Sequence, residues 1–131
     1  MTPEAAVYQF LSGFSIPAYA SASVPDQDSP EWAGFPYLTY DISVSWWMDG
    51  DTNMPVNLWY RTEGEVAINA KAREIGRAIG KGGTILACDG GAVWVKRGSP
   101  WSQAVNTEGS DRNVKRRYLN LSLEYLVTEE T

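Results

Sequence analysis

Residues 118–127, YLNLSLEYLV, alternate without a break: Leu119, Leu121, Leu123, Tyr125 and Val127 fall on one side, and Asn120, Ser122 and Glu124 on the other. A period of two with one apolar side is a half-buried strand of an antiparallel sheet. Such a sheet must have that side covered by another layer. The pattern recurs in YLTYDISVSWWM (37–48), where Leu38, Tyr40, Ile42, Val44, Trp46 and Met48 share a face. It returns in PVNLWYR (55–61) with Val56, Leu58 and Tyr60. DGDTN (49–53) between them is turn chemistry and predicts a hairpin. TILACDGGAVWVKR predicts a second hairpin, with Asp89, Gly90 and Gly91 at its tip.

Two segments can supply the cover. TPEAAVYQFLSG predicts a short helix, with Thr2 as cap, Pro3 at the first position and Gly13 as stop. The stretch from Thr62 to Gly83 predicts the main helix. Thr62 and Glu65 have capping-box spacing, and Ile68, Ala72, Ile75 and Ile79 lie within about 60° on a helical wheel. Residues 15–36, with Pro17, Pro25, Pro30 and Pro36, read as a long loop with an edge strand around Ala18 to Ser23. The expected fold is α+β: a largely antiparallel four- to five-stranded sheet with helices packed on one face, in a single domain spanning 1–131.

The chain has no histidine and one cysteine, Cys88. The first absence removes the commonest general base and metal ligand; the second rules out an internal disulfide. The expectation is a protein that is not an enzyme and carries no cofactor or metal. GRAIGKGGT (76–84) lacks the spacing and strand-before-helix setting of a phosphate-binding loop. DGDTN opens like a calcium loop, but Met54 and Tyr60 stand where that loop needs glycine and glutamate. Asp49, Asp51 and Asp89 fall in predicted turns, where carboxylates are solvated. Asn120-Leu121-Ser122 is a formal glycosylation sequon, but mid-strand. No apolar run reaches the roughly 18–20 residues of a membrane span, and the N-terminus does not read as a secretory leader.

Charge is unevenly spread. Residues 1–65 hold nine acids against Arg61 alone, a net of −8, and residues 66–131 hold ten cations against seven acids, a net of +3. Opposite halves on one small domain suit head-to-tail contact between copies. Lys115, Arg116 and Arg117 form a basic knot, but the chain is acidic overall, with a pI of about 4.6, unlike a nucleic-acid module. Of six tryptophans, Trp46 and Trp94 suit the core, whereas Trp32, Trp47, Trp59 and Trp101 fall in loops or on the outer face. Tryptophan anchors interfaces, and the pattern favours that role here over the alternative, in which the 15–36 loop folds back over that face. Candidate interface residues are Trp32, Trp47, Trp59, Arg97, Trp101, Lys115, Arg116, Arg117, Asp49 and Asp51, with Asp26 and Asp28 as further acidic partners for the cations. A second reading is a small-ligand binding domain with an aromatic pocket built by Trp46, Trp59 and Trp94. A third is a carboxylate-dependent hydrolase.

FSIPAYASASVPDQDSPEWAGFPYLTYDIS (14–43) resembles the opening of the tail-terminator and tail-completion proteins of long-tailed bacteriophages, which join tail to head. In these a first helix leads to a Pro-x-Tyr extended piece, a VP loop and a PYLTY strand. RGSPWSQ…DRNVKRRYLNLSLEY (97–125) is similar to their closing segment, and only Trp32 to Phe35 lack a counterpart. The resemblance implies an α+β virion subunit, without catalysis or cofactor, that assembles with itself into a ring, usually a hexamer. The ring would cap the tail tube protein at its head-proximal end and meet the head connector protein. Double-stranded DNA would pass through non-specifically, and no membrane is involved.

Overall fold

A computed structural model describes residues 1–107, 109 and 111–128. The first helix, α1 (Pro3–Leu11), starts where the sequence places it: the Thr2 side chain accepts the Ala5 N–H at 3.1 Å, and Pro3 opens the first turn. The chain then tightens into a 3₁₀ turn at Ser12–Phe14 and leaves it through Ser15, at φ 66°, so Gly13 is not the stop.

Six strands form one sheet. They are β1 (Ala18–Ala20), β2 (Tyr37–Tyr40), β3 (Asp51–Arg61), β4 (Thr84–Cys88), β5 (Gly91–Val105) and β6 (Val114–Val127). Their spatial order is β1-β2-β3-β6-β5-β4. All neighbours are antiparallel except β1 and β2, which run parallel. The sheet is therefore mixed and larger than the four to five strands expected. A parallel neighbour needs a crossover of about a dozen residues or more, and residues 21–36 provide one.

The second helix, α2 (Val66–Ile79), crosses β3, β5 and β6, while α1 lies against β4 and β5. Both helices cover the same sheet face. The core between them takes Val7, Leu11 and Phe14 from α1 and its turn, and Ile68, Ala72, Ile75 and Ile79 from α2. Met54, Val56, Leu58, Val93, Val95, Leu119, Leu121, Leu123 and Tyr125 line it from the sheet. The capping box does not form. Glu65 occupies the cap position without a side-chain bond to the helix, and the Thr62 hydroxyl donates to the Gly64 carbonyl instead.

The first hairpin forms, with β2 antiparallel to β3, but without the tight DGDTN turn expected. The strand expected over 37–48 ends at Tyr40, and residues 41–50 leave the sheet. The cause lies in the partner strand. The Asp41 N–H donates to the Pro55 carbonyl at 3.1 Å, but proline has no N–H to return, so the ladder fails there. The freed segment turns over the end of the core. The Tyr125 hydroxyl donates to the Ser43 carbonyl at 2.6 Å, and the Trp47 N–H donates to the Val127 carbonyl at 3.0 Å. The second hairpin forms with its tight turn, Cys88 pairing with Gly91 across Asp89-Gly90.

Candidate interaction surface

The aromatic residues expected to face outward divide into two groups. Trp59 stacks on Tyr37, with centroids 6.2 Å apart and planes 15° from parallel, and its Nε1 donates to the Thr39 hydroxyl at 3.0 Å. Trp32 and Phe35 pack edge-to-face at 5.5 Å, and Trp32 also meets the edge of Tyr37. The Trp32 Nε1 is buried and has no partner among the described residues. The proline-rich loop has thus folded back over the outer face of β2 and β3, and neither Trp32 nor Trp59 is an outward anchor. Burial, and then the neighbouring Tyr19, push the Tyr37 phenol up.

Trp101 is half-buried against the core. It lies where β5 shifts register against β6, between Arg97 and Ser102. Its Nε1 donates to the Ala72 carbonyl of α2 at 2.9 Å. Gly76 permits this approach: a Cβ there would lie 2.8 Å from the same nitrogen.

The basic knot is split by the pleat, because adjacent strand residues point to opposite faces. Arg116 lies on the outer face, its guanidinium 5.3 Å from the Trp59 ring centroid, and its Nε donates to Asn57 Oδ1 at 2.8 Å. Arg117 lies on the helix face. It donates to the Ser102 hydroxyl at 3.0 Å and reaches Glu65 at 3.4 Å, and its Nε is buried with no partner among the described residues. Lys115 donates to the Arg112 carbonyl at 2.8 Å. These three cations are engaged within their own chain rather than held out for a neighbour's acids.

The acids divide likewise. Asp51 and Glu124 both bind Lys96, at 3.1 and 2.7 Å, and these contacts, Glu124 foremost, hold the Lys96 ammonium above its usual range. Asp49 accepts from the Ser45 hydroxyl at 2.9 Å and the Trp46 N–H at 3.2 Å, which fixes the turn that displays Trp47. Asp111 pairs with Arg61 at 2.7 Å, and this guanidinium holds its carboxyl below the ordinary range.

What remains outward is the segment 41–50. Ile42 packs against the core, but Val44, Trp46, Trp47 and Met48 are exposed, Trp47 by 51% and Met48 by 87%. Sequence reading put Trp46 and Met48 inside, by continuing the alternation of 37–40; the signal against it was Pro55 in the facing strand. Beside them a cleft of about 390 Å³ is lined by Pro3, Glu4, Val44, Trp46, Asp89 and Val127, among others. Glu4, Asp49 and Asp89 lie at this end, and Asp89 pairs with the N-terminal ammonium at 2.9 Å.

The opposite character belongs to α2. Arg73 and Arg77 project from its solvent side, and Lys81 follows its end. Among the described residues no carboxylate lies within 4.0 Å of these three or of the exposed Arg97. A groove of about 290 Å³ is lined by Ala70, Arg73, Glu74 and Arg77. A second, of about 300 Å³, shares Arg73 and adds Ala72, Trp101 and Arg117.

Trp46, Trp59 and Trp94 do not converge. Trp59 faces Arg116 and Trp94 faces Glu124, eight residues apart on β6, which separates them by roughly 26 Å along the strand. Among the described residues no three His, Cys, Asp or Glu cluster to hold a metal. Cys88 is half-buried, and burial raises its thiol. Comparison with protein-family models, curated proteins and solved structures returns no match.

Proposed function

We propose that this chain is a structural subunit of a phage tail neck, which closes with copies of itself into a ring at the head-proximal end of the tail tube. There it ends tube polymerisation and presents a surface to the head connector protein, and double-stranded DNA passes through the ring without being read. The role needs no catalysis and no cofactor. One observation carries the self-assembly in this reading: Val44, Trp46, Trp47 and Met48 stand in water on a segment whose backbone is hydrogen-bonded in place. Clustered large apolar side chains of this kind mark a surface that another protein covers. The tail-neck assignment rests on the sequence resemblance.

Purified chain is examined by light scattering alone and on purified tail tubes, and tube length is measured by electron microscopy with and without it. A defined oligomer and tubes that stop growing are expected. A monomer under both conditions, with tubes of unchanged length, removes the reading.

A further inference from the structure

We infer that the Val44–Met48 tip of one copy seats on the α2 face of the next, across Ala70, Arg73 and Arg77 beside Trp101. The contact joins two different patches of the same chain and rests on the self-assembly proposed above.

The two surfaces match in kind. The tip is apolar with acids at its margin: Glu4 and Asp89 line the adjoining cleft, Asp89 already holding the N-terminal ammonium at 2.9 Å, and Asp49 sits in the tip's own turn. The α2 face offers a small apolar floor, Ala70 and Ala72, a Trp101 ring edge, and two arginines without carboxylate partners among the described residues. Among the described residues lining the first groove the one acid is Glu74, which is occupied by Lys71 at 2.9 Å. An oxyanion from a neighbour therefore meets uncompensated guanidinium, and arginine suits bidentate pairing with carboxylate.

Nucleic acid would use the arginines and leave the tip uncovered. A basic peptide would use the acids and leave α2 uncovered. A second copy satisfies both, because each molecule carries one of each. The tip and the α2 grooves share no lining residue. A head-to-tail contact follows, of the kind that closes into rings when the rotation allows. The four tip side chains expose on the order of 400 Å², about half of the ~800 Å² per partner typical of a stable interface. The α2 rim and the acid pairs must supply the rest.

The test uses two variants of the full chain. Trp47→Ser with Met48→Asn disables the tip, and Arg73→Glu with Arg77→Glu disables the face. All four side chains are exposed, and circular dichroism checks that both variants fold. Each variant alone should self-associate at least about 30-fold more weakly than the native chain in sedimentation. Mixed, the two should form a one-to-one pair and stop, since the pair's remaining tip and remaining face are both disabled. Native-like association of either variant, or no pair in the mixture, overturns the docking. If the native chain forms a ring while both variants also do, the ring stands and this contact falls. If the native chain forms open filaments while the mixture stops at pairs, this contact stands and ring closure falls.

Discussion

Replacing Gly76 with alanine should destabilise the protein, against the sense of helix propensity. Alanine in a helix interior is favoured over glycine by about 0.8–1.0 kcal/mol. Here the new Cβ would lie 2.8 Å from Trp101 Nε1 and 3.1 Å from Cε2, where ordinary contact begins near 3.4 Å. The indole must move, and it is held by its 2.9 Å bond to the Ala72 carbonyl. Loss of that bond costs about 0.5–1.5 kcal/mol, and overpacking costs about 1–3 kcal/mol. After subtracting the propensity gain, the net loss is about 1–3 kcal/mol. Urea unfolding followed by circular dichroism measures it in four proteins: native, Gly76→Ala, Trp101→Ala and the double variant. In the Trp101→Ala background the obstacle is gone, and Gly76→Ala should stabilise by about 1 kcal/mol. The sign reversal is the signature. Stabilisation by Gly76→Ala in the native background, or coupling below about 0.5 kcal/mol, would refute the steric account.

Tyr125→Phe should cost about 1 kcal/mol in urea unfolding by releasing Ser43. The native Tyr125 phenol, pushed up to about 12 mainly by burial and next by Glu4, lies above its unfolded value near 10. Its contribution is therefore complete below pH ~10 and lost as pH rises toward about 12, and the variant should show a flatter alkaline decline. Met48, at φ 75°, should gain about 0.5–1 kcal/mol of stability on replacement by asparagine, which tolerates that backbone better; thermal melts check this. Arg116→Glu with Arg117→Glu should lower stability by about 3 kcal/mol, since it places a carboxylate beside Glu65 and strips Asn57 and Trp59 of their partner. A cooperative melt unchanged from the native one would contradict that. Lys96→Met should cost only about 0.5 kcal/mol, because Asp51 and Glu124 remain partly hydrated.

The elements governed by their own periodicity were legible. β6 buries the five side chains its alternation picks out, and α2 buries the four isoleucine and alanine positions of its wheel. The second hairpin was legible because its turn is local. What failed depended on distant residues. Whether 41–48 continues as strand is decided by the missing N–H of Pro55, which the segment itself cannot reveal. The parallel β1–β2 pair depends on a crossover whose path over Trp59 is set by tertiary packing of Trp32 and Phe35. For the site, Trp47 was legible as outward. Trp32, Trp59 and Trp101 were not distinguishable from it by composition, because an indole inside and an indole outside are the same letter. The basic knot misled for a related reason: three adjacent cations are one cluster in sequence but two faces in a strand.

The tip is tied down by Tyr125 and Val127, some eighty residues downstream. On the ribosome, where chains emerge N-terminus first, residues 43–48 come out long before the strand that holds them. Until β6 is laid in, the tip lacks these anchors, and unfinished chains do not yet display it in its final shape. The exposed apolar segment is thereby the part of the molecule whose shape is completed late, after the rest of the sheet has emerged.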